Sequence, residues 1–427
     1  MRSDSRLYEI GVEPFELTER RRINQELNIA EHRDGASELK SMPLVLFIEL
    51  TQNCNLSCPM CRFGSKYTTE WNMSEEMYEK LADELFPTAH VVDLRGWGES
   101  TMLPGFGRFV ELSLRHRVQL RLVTNGMVNR RPVWDMMMRA HAAINISCDA
   151  ADPELFKKLR AGGTVERLAN TTRSLVEARD KHGAPRDSVK FITTVSRDNL
   201  QDLVNVVELA ARLDVERVIL HPLVTHLDDS SGLHHDLDGT AEAYTAAAER
   251  GRREGVVVQL DAAPDPALAL PDMVRRPACM HPWSYAYVRY NGGVGFCDHM
   301  LGDDQYTLGS LQHSSFPEIW NGADWVGIRK AHLTGDIPDR FSPCRWTYGQ
   351  RYIDFEHTVH PDRAAGMVST ETHDTLIQRR DPKLFPTVPW SPDLAGDAAP
   401  ATGGDPYIPV EYLGTRLRAM EQSDAQR

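Results

Sequence analysis

Six short apolar segments, each followed by a segment with helical periodicity, constrain the fold of this 427-residue chain more than any other feature. The predicted strands are residues 44–50, 90–96, 118–124, 143–148, 188–195 and 217–221. Strands that alternate with helices pair in parallel, so we expect an α/β fold whose sheet is open or curled into a partial barrel. In both arrangements, ligands bind at the carboxyl ends of the strands.

The chain divides into four predicted regions. They are a polar N-terminal segment (1–43), the strand–helix core (44–270), a smaller unit (271–347) and a Pro-rich C-terminal extension (348–427). The smaller unit contains a predicted hairpin that turns on Asn291-Gly292-Gly293. The extension is predicted to be irregular and to end in a short helix near 410–421, with a disordered tail as the alternative.

Composition and charge exclude several classes of protein. The chain is 41% hydrophobic and 26% charged, which is typical of a folded globular protein. Its net charge of −13 is unfavourable for binding nucleic acid. No apolar run reaches the roughly 18–20 residues of a membrane helix, and the N-terminus is too charged for a secretory signal. We therefore expect a cytoplasmic chain whose seven cysteines serve metal binding or catalysis rather than disulfides.

Three of the cysteines, Cys54, Cys58 and Cys61, lie close together directly after the first predicted strand. A structural zinc site usually takes four protein ligands, and no fourth candidate is close in sequence. Iron–sulfur clusters are held by thiolates, and three thiolates on a four-iron cluster leave one iron open to another ligand. The pattern therefore favours an iron–sulfur cluster over zinc or reactive thiols.

This C-x3-C-x2-C loop resembles the signature of radical S-adenosylmethionine (SAM) enzymes. The resemblance implies a partial (β/α)6 TIM-like barrel and a [4Fe-4S] cluster whose open iron binds the methionine part of SAM. It also implies cleavage of SAM to a 5′-deoxyadenosyl radical, with electrons from a flavodoxin- or ferredoxin-type partner. Met60 stands where the family often has an aromatic residue, and its apolar side chain is predicted to pack near the adenine.

Further motifs resemble those of the same family at the ends of later strands. Gly96-Trp97-Gly98-Glu99 is similar to the Gly-Gly-Glu element, in which Gly98 permits a close backbone approach and the Glu99 carboxylate binds the SAM ammonium group. Asn125 is either a SAM contact or part of a plain turn. The other predicted SAM contacts are Ser147, Ser196 and Arg197, and Arg197 is equally well explained as a solvated charge.

A second set of cysteines, Cys279, Cys297 and Cys344, surrounds the predicted hairpin. This region resembles SPASM and twitch auxiliary-cluster domains, and the small number of cysteines matches the shorter α+β twitch form with one [4Fe-4S] cluster. Such domains commonly have a fourth cysteine where Thr347 stands here. The fourth iron is therefore predicted to be open or bound by substrate, and the alternatives are Arg345, Asp298, His299 or water.

Asp149 and His221 are the predicted catalytic residues, since each lies at the end of a strand. Side chains alternate along a strand, so Asp149 is predicted to face the barrel interior as the proton acceptor. A helix N-cap is its alternative role. His221 is the second choice, with a structural bend before Pro222 as its alternative. The same alternation predicts that Cys148 is buried on the outer face, which leaves no thiol to donate hydrogen in an epimerisation.

The resemblance extends to radical SAM enzymes that tailor aminocyclitol and aminoglycoside antibiotics, and the sugar-ring dehydrogenase of spectinomycin biosynthesis is the best single match. It implies oxidation of a secondary alcohol of a small, cationic aminosugar to a ketone, with the auxiliary cluster accepting an electron. The alternatives are an epimerase, a dehydratase or deaminase, a peptide-modifying maturase, and a non-catalytic iron–sulfur electron-transfer protein.

Overall fold

The computed structural model describes most of the chain between residues 13 and 344. The described residues are 13–61, 68–223, 229–261, 263–265, 279–300, 304–341, 344, 351–354 and 407–409. The predicted helix near 410–421 lies outside them, as do Arg345, Thr347 and most of the C-terminal extension.

The main sheet confirms the predicted strand–helix alternation. Its first seven strands are parallel and neighbour one another in chain order. They are β1 (Val45–Ile48), β2 (Val91–Leu94), β3 (Gln119–Thr124), β4 (Ala143–Ser147), β5 (Val189–Val195), β6 (Arg217–Pro222) and β7 (Val257–Leu260). The six predicted strands are therefore all present, and all of their carboxyl ends lie at one edge of the sheet.

The sheet also extends beyond the six predicted strands. At one end β7 pairs with β6, and a short β8 (Ala263–Asp265) follows in the chain. At the other end β9 (Tyr285–Val288) runs parallel to β1, and β10 (Gly293–Gly295) and β11 (Gly309–Ser310) continue the sheet in antiparallel fashion. The smaller unit is thus joined to the core by strand pairing, a connection that the sequence pattern did not predict.

Besides several short 3-10 helices, eleven α-helices occur in the described residues. They are α1 (Glu19–Arg33), α2 (Glu75–Leu85), α3 (Phe106–Arg115), α4 (Arg131–Arg139), α5 (Pro153–Leu159), α6 (Val165–His182), α7 (Leu203–Arg212), α8 (Leu237–Glu254), α9 (His281–Ser284), α10 (Phe316–Trp320) and α11 (Ala323–Thr334). The hydroxyl of Ser74 accepts from the backbone N–H of Met77, which confirms the predicted N-cap of α2. None of these helices is long and apolar enough to cross a membrane.

Strand β1 is buried on both faces, and its alternate residues enter different cores. Leu46 and Ile48 of β1 belong to the large core that also contains the buried helix residues. Val45 and Phe47 belong to a smaller cluster with Tyr285 and Tyr287 of β9. Cys148 lies in the large core and is fully buried, as strand alternation predicted.

The N-terminal helix α1 connects the two parts of the molecule through buried polar side chains. Arg21 donates to the backbone carbonyls of Phe86, Ala89 and His116. Further along the helix, the Asn28 amide donates to the carbonyl of Trp283, in the smaller unit, at 2.6 Å. The segment that includes α1 is therefore part of the folded body.

A second, smaller sheet is formed by β8 with two strands from the C-terminal extension. Those strands are β12 (Arg351–Asp354), which is antiparallel to β8, and β13 (Tyr407–Pro409), which is parallel to β12. The extension was predicted to be irregular, so these two strands are a difference from the sequence-based expectation.

Candidate active site

The loop that follows β1 brings three thiols together. Cys54 is partly buried, Cys58 is buried and Cys61 is exposed, and none of them forms a disulfide. Burial raises the pKa of Cys54 to about 11, and charge repulsion from Glu99, Cys58 and Cys61 adds to the effect. Three thiols that follow one strand are a donor set that a bound iron cluster would stabilise as thiolates.

Gly98 holds the Gly-Trp-Gly-Glu segment against the chain just before Cys54. A Cβ atom at Gly98 would lie 2.3 Å from the carbonyl oxygen of Thr51 and 2.7 Å from that of Asn53. The backbone N–H of Glu99 donates to the Asn53 carbonyl at 2.8 Å. The motif after β2 and the cysteine loop after β1 therefore form one packed unit, and only glycine fits at this contact.

The Glu99 carboxylate is almost fully buried, at 3% exposure, and it links the ends of β2 and β3. Oε2 accepts from the backbone N–H of Asn125 at 2.6 Å, and Oε1 accepts from the hydroxyls of Thr101 and Thr124. Burial raises the pKa of Glu99, although these donors oppose the shift. Its predicted contact with the SAM ammonium group stays a prediction, to which the structure adds this bridging role.

Asn125 joins the same cluster of residues. Its amide Nδ2 donates to Asn55 Oδ1 at 2.8 Å and lies 3.8 Å from the Cys54 sulfur. Gly126 has a φ of +74°, so the segment is also a turn. The two interpretations of the Thr124-Asn125-Gly126 segment, a turn and a site element, are therefore compatible.

Asp149 has a contact that the sequence did not predict. It is fully buried, and its Oδ2 accepts from Arg160 Nε at 2.5 Å while its Oδ1 accepts from the backbone N–H of Thr194. Arg160 also hydrogen-bonds the Cys58 thiol and so opposes the rise in the Cys58 pKa that burial causes. The helix cap that was the alternative role belongs to Asp152, which caps α5. These contacts suit a residue that positions Arg160 beside the cysteine loop better than a proton acceptor.

His221 lies at the carboxyl end of β6 and is more accessible. Its side chain is 40% exposed, and its Nδ1 lies 3.0 Å from Oδ2 of Asp261, which is buried. A carboxylate on one ring nitrogen fixes the orientation of the ring and supports proton transfer at the other. This environment suits proton transfer better than that of Asp149 does, and the catalytic role of His221 stays a prediction.

The remaining predicted SAM contacts occupy different environments. Ser147 and Ser196 are buried at the ends of β4 and β5, and Met60 is partly buried against the large core. Arg197 donates from its side chain to the carbonyl of Ser230 and from its backbone to that of Ser231. Arg197 therefore anchors the 229–232 segment, and its predicted SAM contact stays a prediction.

Sequence reasoning missed Glu49, which directly follows β1. Its fully buried carboxylate accepts from the backbone N–H of Trp97 at 3.0 Å and approaches Arg289 Nε at 4.0 Å. A Cβ atom at Gly96 would collide with the Glu49 side chain. The sequence contained a signal for Glu49, because a charged residue directly follows an apolar strand. It contained no signal for the pairing of Arg160 with Asp149.

The second set of cysteines lies beside β9 and β10. Cys297 is buried, Cys279 and Cys344 are partly buried, and none of them forms a disulfide. The carboxylate of Asp298 lies 3.5 Å from Arg95, which also pairs with Asp93 of β2. The segment after the hairpin is therefore tied to β2 through Arg95, in addition to the pairing of β9 with β1.

Two family models match the chain over these two regions. The radical SAM superfamily matches residues 48–222, and the SPASM iron–sulfur cluster-binding domain matches residues 279–346. The chain carries a radical SAM domain followed by a SPASM domain. The cofactors expected from the sequence, SAM and iron–sulfur clusters, are those that these domains bind, and the two cysteine sets supply the thiolate donors they require.

The chain is also similar to several proteins of stated role. The chain is 25% identical to mycofactocin maturase of Mycobacterium tuberculosis over 49% of its length, and the match spans about half (53%) of that relative. It is 25% identical to a tungsten-containing aldehyde ferredoxin oxidoreductase cofactor-modifying protein of Pyrococcus furiosus, over 66% of this chain and 82% of the relative. The subtilosin biosynthesis protein AlbA of Bacillus subtilis is 23% identical, over 67% of this chain and 61% of the relative.

A solved structure confirms the fold. SuiB of Streptococcus suis superposes with a TM-score of 0.54 at 14% identity, covering 72% of each chain. The radical SAM fold with a C-terminal SPASM domain is therefore established. The finer resemblance to aminocyclitol-tailoring enzymes stays a prediction.

Glu99→Gln is expected to weaken SAM binding by about tenfold or more. If the carboxylate holds the SAM ammonium group, the change replaces a charged hydrogen bond worth about 1.5–3 kcal/mol with a weaker one. The measurement is a SAM titration of the anaerobically reconstituted protein. Glu111→Gln is the matched control, because Glu111 is a buried glutamate of α3 that pairs with Arg108 and Arg115. If the unsubstituted protein, Glu99→Gln and Glu111→Gln bind SAM with equal affinity, Glu99 does not contact SAM and only links the ends of β2 and β3.

Asp149→Asn is expected to lower the unfolding free energy by about 3–5 kcal/mol, because it leaves the buried Arg160 without its counter-charge. Adding Arg160→Met should restore most of this loss, and Asp152→Asn, which keeps a good N-cap, should have little effect. A general base would behave differently: SAM cleavage would persist in Asp149→Asn while product formation fell about 10²–10⁴-fold. Denaturant unfolding and 5′-deoxyadenosine yield, measured together, separate the two roles.

Proposed function

We propose that this chain is a radical SAM maturase that oxidises a peptide substrate. The observation that carries the proposal is the pairing of a radical SAM domain with a SPASM domain in a chain similar to mycofactocin maturase and to the bacteriocin biosynthesis protein AlbA. This is one of the alternatives that the sequence left open, and the relatives support it better than aminosugar oxidation.

The placement of the cysteines supports oxidation over epimerisation. SAM, when bound and reductively cleaved, supplies the radical that removes a hydrogen atom from the substrate. Epimerisation then needs a hydrogen donor on the opposite face, whereas oxidation needs loss of a proton and an electron. Six cysteines are assigned to the two cluster sites, and the seventh, Cys148, is fully buried in the large core. This assignment leaves no cysteine as hydrogen donor, and an auxiliary cluster held by Cys279, Cys297 and Cys344 would take up the electron.

His221 is our choice for the residue that accepts the proton. It lies at the same edge of the sheet as the cysteine loop, is 40% exposed and is oriented by Asp261. Asp149, the first choice from sequence, has both oxygens engaged by Arg160 and Thr194. A base needs a lone pair within reach of the proton that it removes, and the environment of His221 is better suited to this.

A second candidate is the oxidation of an aminocyclitol or aminosugar alcohol. The net charge of −13 favours a cationic small molecule over an acidic one. The chain's own residues would act in the same way on either substrate, since hydrogen removal, proton transfer and electron transfer are common to both. The two candidates therefore differ in substrate class and not in reaction type.

Protease treatment distinguishes the two substrate classes. Extract from the source cells is divided by ultrafiltration, and each fraction is added to the reconstituted protein with SAM and dithionite. We expect the fraction that stimulates 5′-deoxyadenosine formation to lose this effect after digestion with a broad-specificity protease. Stimulation that survives digestion and passes a small-solute membrane would support the aminosugar instead. Heat-inactivated protease is the control.

His221→Gln is expected to reduce oxidised product by about 10²–10⁴-fold while SAM cleavage continues. Glutamine keeps much of the polarity but cannot accept a proton near neutral pH. The matched control is His313→Gln, an exposed position in the SPASM domain. Mass spectrometry of the product reports the loss of one pair of hydrogens. Wild-type product yield in His221→Gln would remove His221 from the mechanism.

A further inference from the structure

We propose that His281 raises the reduction potential of the auxiliary cluster by donating a hydrogen bond from its ring to the sulfur of Cys297. Nδ1 of His281 lies 3.1 Å from that sulfur, and both side chains are buried, with 4% and 7% exposure. A cysteine that binds an iron–sulfur cluster does so as a thiolate, which carries no proton and can only accept. The hydrogen of this contact therefore lies on Nδ1 of His281.

The backbone of His281 reaches a second cysteine of the same site. His281 begins the short helix α9, two residues after Cys279, and its backbone N–H donates to the Cys279 thiol. One residue thus directs two N–H groups at two of the three sulfurs, those of Cys279 and Cys297. Hydrogen bonds to the ligand atoms orient and tune a metal site, and His281 is placed to do this at both cysteines.

Packing holds the ring of His281 in this position. The ring lies against Tyr285 of β9, with the ring centroids 4.2 Å apart. Since β9 pairs with β1, the ring is fixed relative to the main sheet. With 4% of His281 exposed, water has little access to take the place of its ring N–H. The hydrogen bond is therefore a lasting part of the surroundings of Cys297.

A hydrogen bond to sulfur stabilises the reduced cluster more than the oxidised one. Reduction adds negative charge, and a donor interacts more strongly with a more negatively charged acceptor. The donor therefore raises the reduction potential, so that the cluster takes up an electron more readily. The carboxylate of Asp298, 4.0 Å from the Cys297 sulfur, acts in the opposite direction, but it is paired with Arg95.

This role leaves the predicted fourth iron unchanged. A hydrogen-bonded imidazole does not occupy an iron, so an open or substrate-bound iron stays the prediction for that position. The hydrogen bond itself requires only the cluster, whereas its benefit for electron uptake from a substrate radical rests on the proposed oxidation. The reduction potential is therefore measured without substrate, and its outcome is independent of the substrate class and of product formation.

The test is a potentiometric titration of the auxiliary cluster in the full-length chain, followed by EPR. Cys54→Ala/Cys58→Ala/Cys61→Ala removes the SAM-binding cluster, so that only the auxiliary signal remains. In this background, His281→Leu should make one-electron reduction about tenfold less favourable, a fall of about 59 mV. His281→Asn keeps a side-chain N–H donor next to the Cys297 sulfur and should retain most of the potential of the triple-alanine protein.

The matched control is His332→Leu. His332 is also a buried histidine of the SPASM domain, but its ring packs edge-on against Phe296. Its replacement should leave the potential unchanged. Three results would overturn the proposal: an unchanged potential in His281→Leu, an equal fall in His281→Asn, or an equal fall in His332→Leu.

Pulsed EPR of the ¹⁵N-histidine-labelled protein decides the matter even if His281→Leu does not retain about four irons. We expect a weak ¹⁵N hyperfine coupling, typical of a hydrogen bond to a cluster sulfur, in the triple-alanine protein and in its His332→Leu variant. The coupling should be absent from His281→Asn, whose side chain is unlabelled. A strong coupling, typical of a nitrogen bonded to iron, or no coupling at all would overturn the proposal.

Discussion

The contact between Gly98 and the backbone of Thr51 and Asn53 is the constraint on which the candidate site depends. It leaves no room for a side chain, so the segment after β2 lies directly on the chain that enters the cysteine loop. Glu99 then carries the connection to β3 through Asn125, and the Asn125 amide returns to the cysteine loop at Asn55. Three strand ends are thus joined through one closed set of hydrogen bonds.

Strand β1 has a second role, because it has a different partner on each side. It pairs with β2, which leads to the glycine segment, and with β9, which leads to the hairpin containing Cys297. Glu49, at the end of β1, is buried between Trp97 on one side and Arg289 on the other. Burial raises the pKa of Glu49, and Arg289 opposes this rise. The loop of Cys54 and the hairpin that leads to Cys297 therefore follow neighbouring strands of one sheet, which fixes their relative position.

The fold and the cysteine sites were predictable because their signals are local. Strand periodicity, the spacing of Cys54, Cys58 and Cys61, and the glycine turn of the hairpin each lie within about ten residues. The addition of β9 to β1 depends on residues far apart in sequence, and no local pattern encodes it. Alternation predicted that Asp149 and Cys148 face opposite sides, but it could not reveal that Arg160 donates to the Asp149 carboxylate. Residue roles that depend on a distant partner require the structure.

The buried contacts of α1 hold the N-terminal segment against both domains. Arg21 and Asn28 of α1 donate to backbone carbonyls of the core and of the SPASM domain. Arg329 of α11 adds a donor to the Ser37 carbonyl and so holds the chain after α1 on the same surface. Removing either set of contacts would leave buried carbonyls without hydrogen-bond donors, and each would lower the free energy of unfolding by about 1–3 kcal/mol. The described part of the N-terminal segment therefore stabilises the junction of the two domains through the buried face of α1.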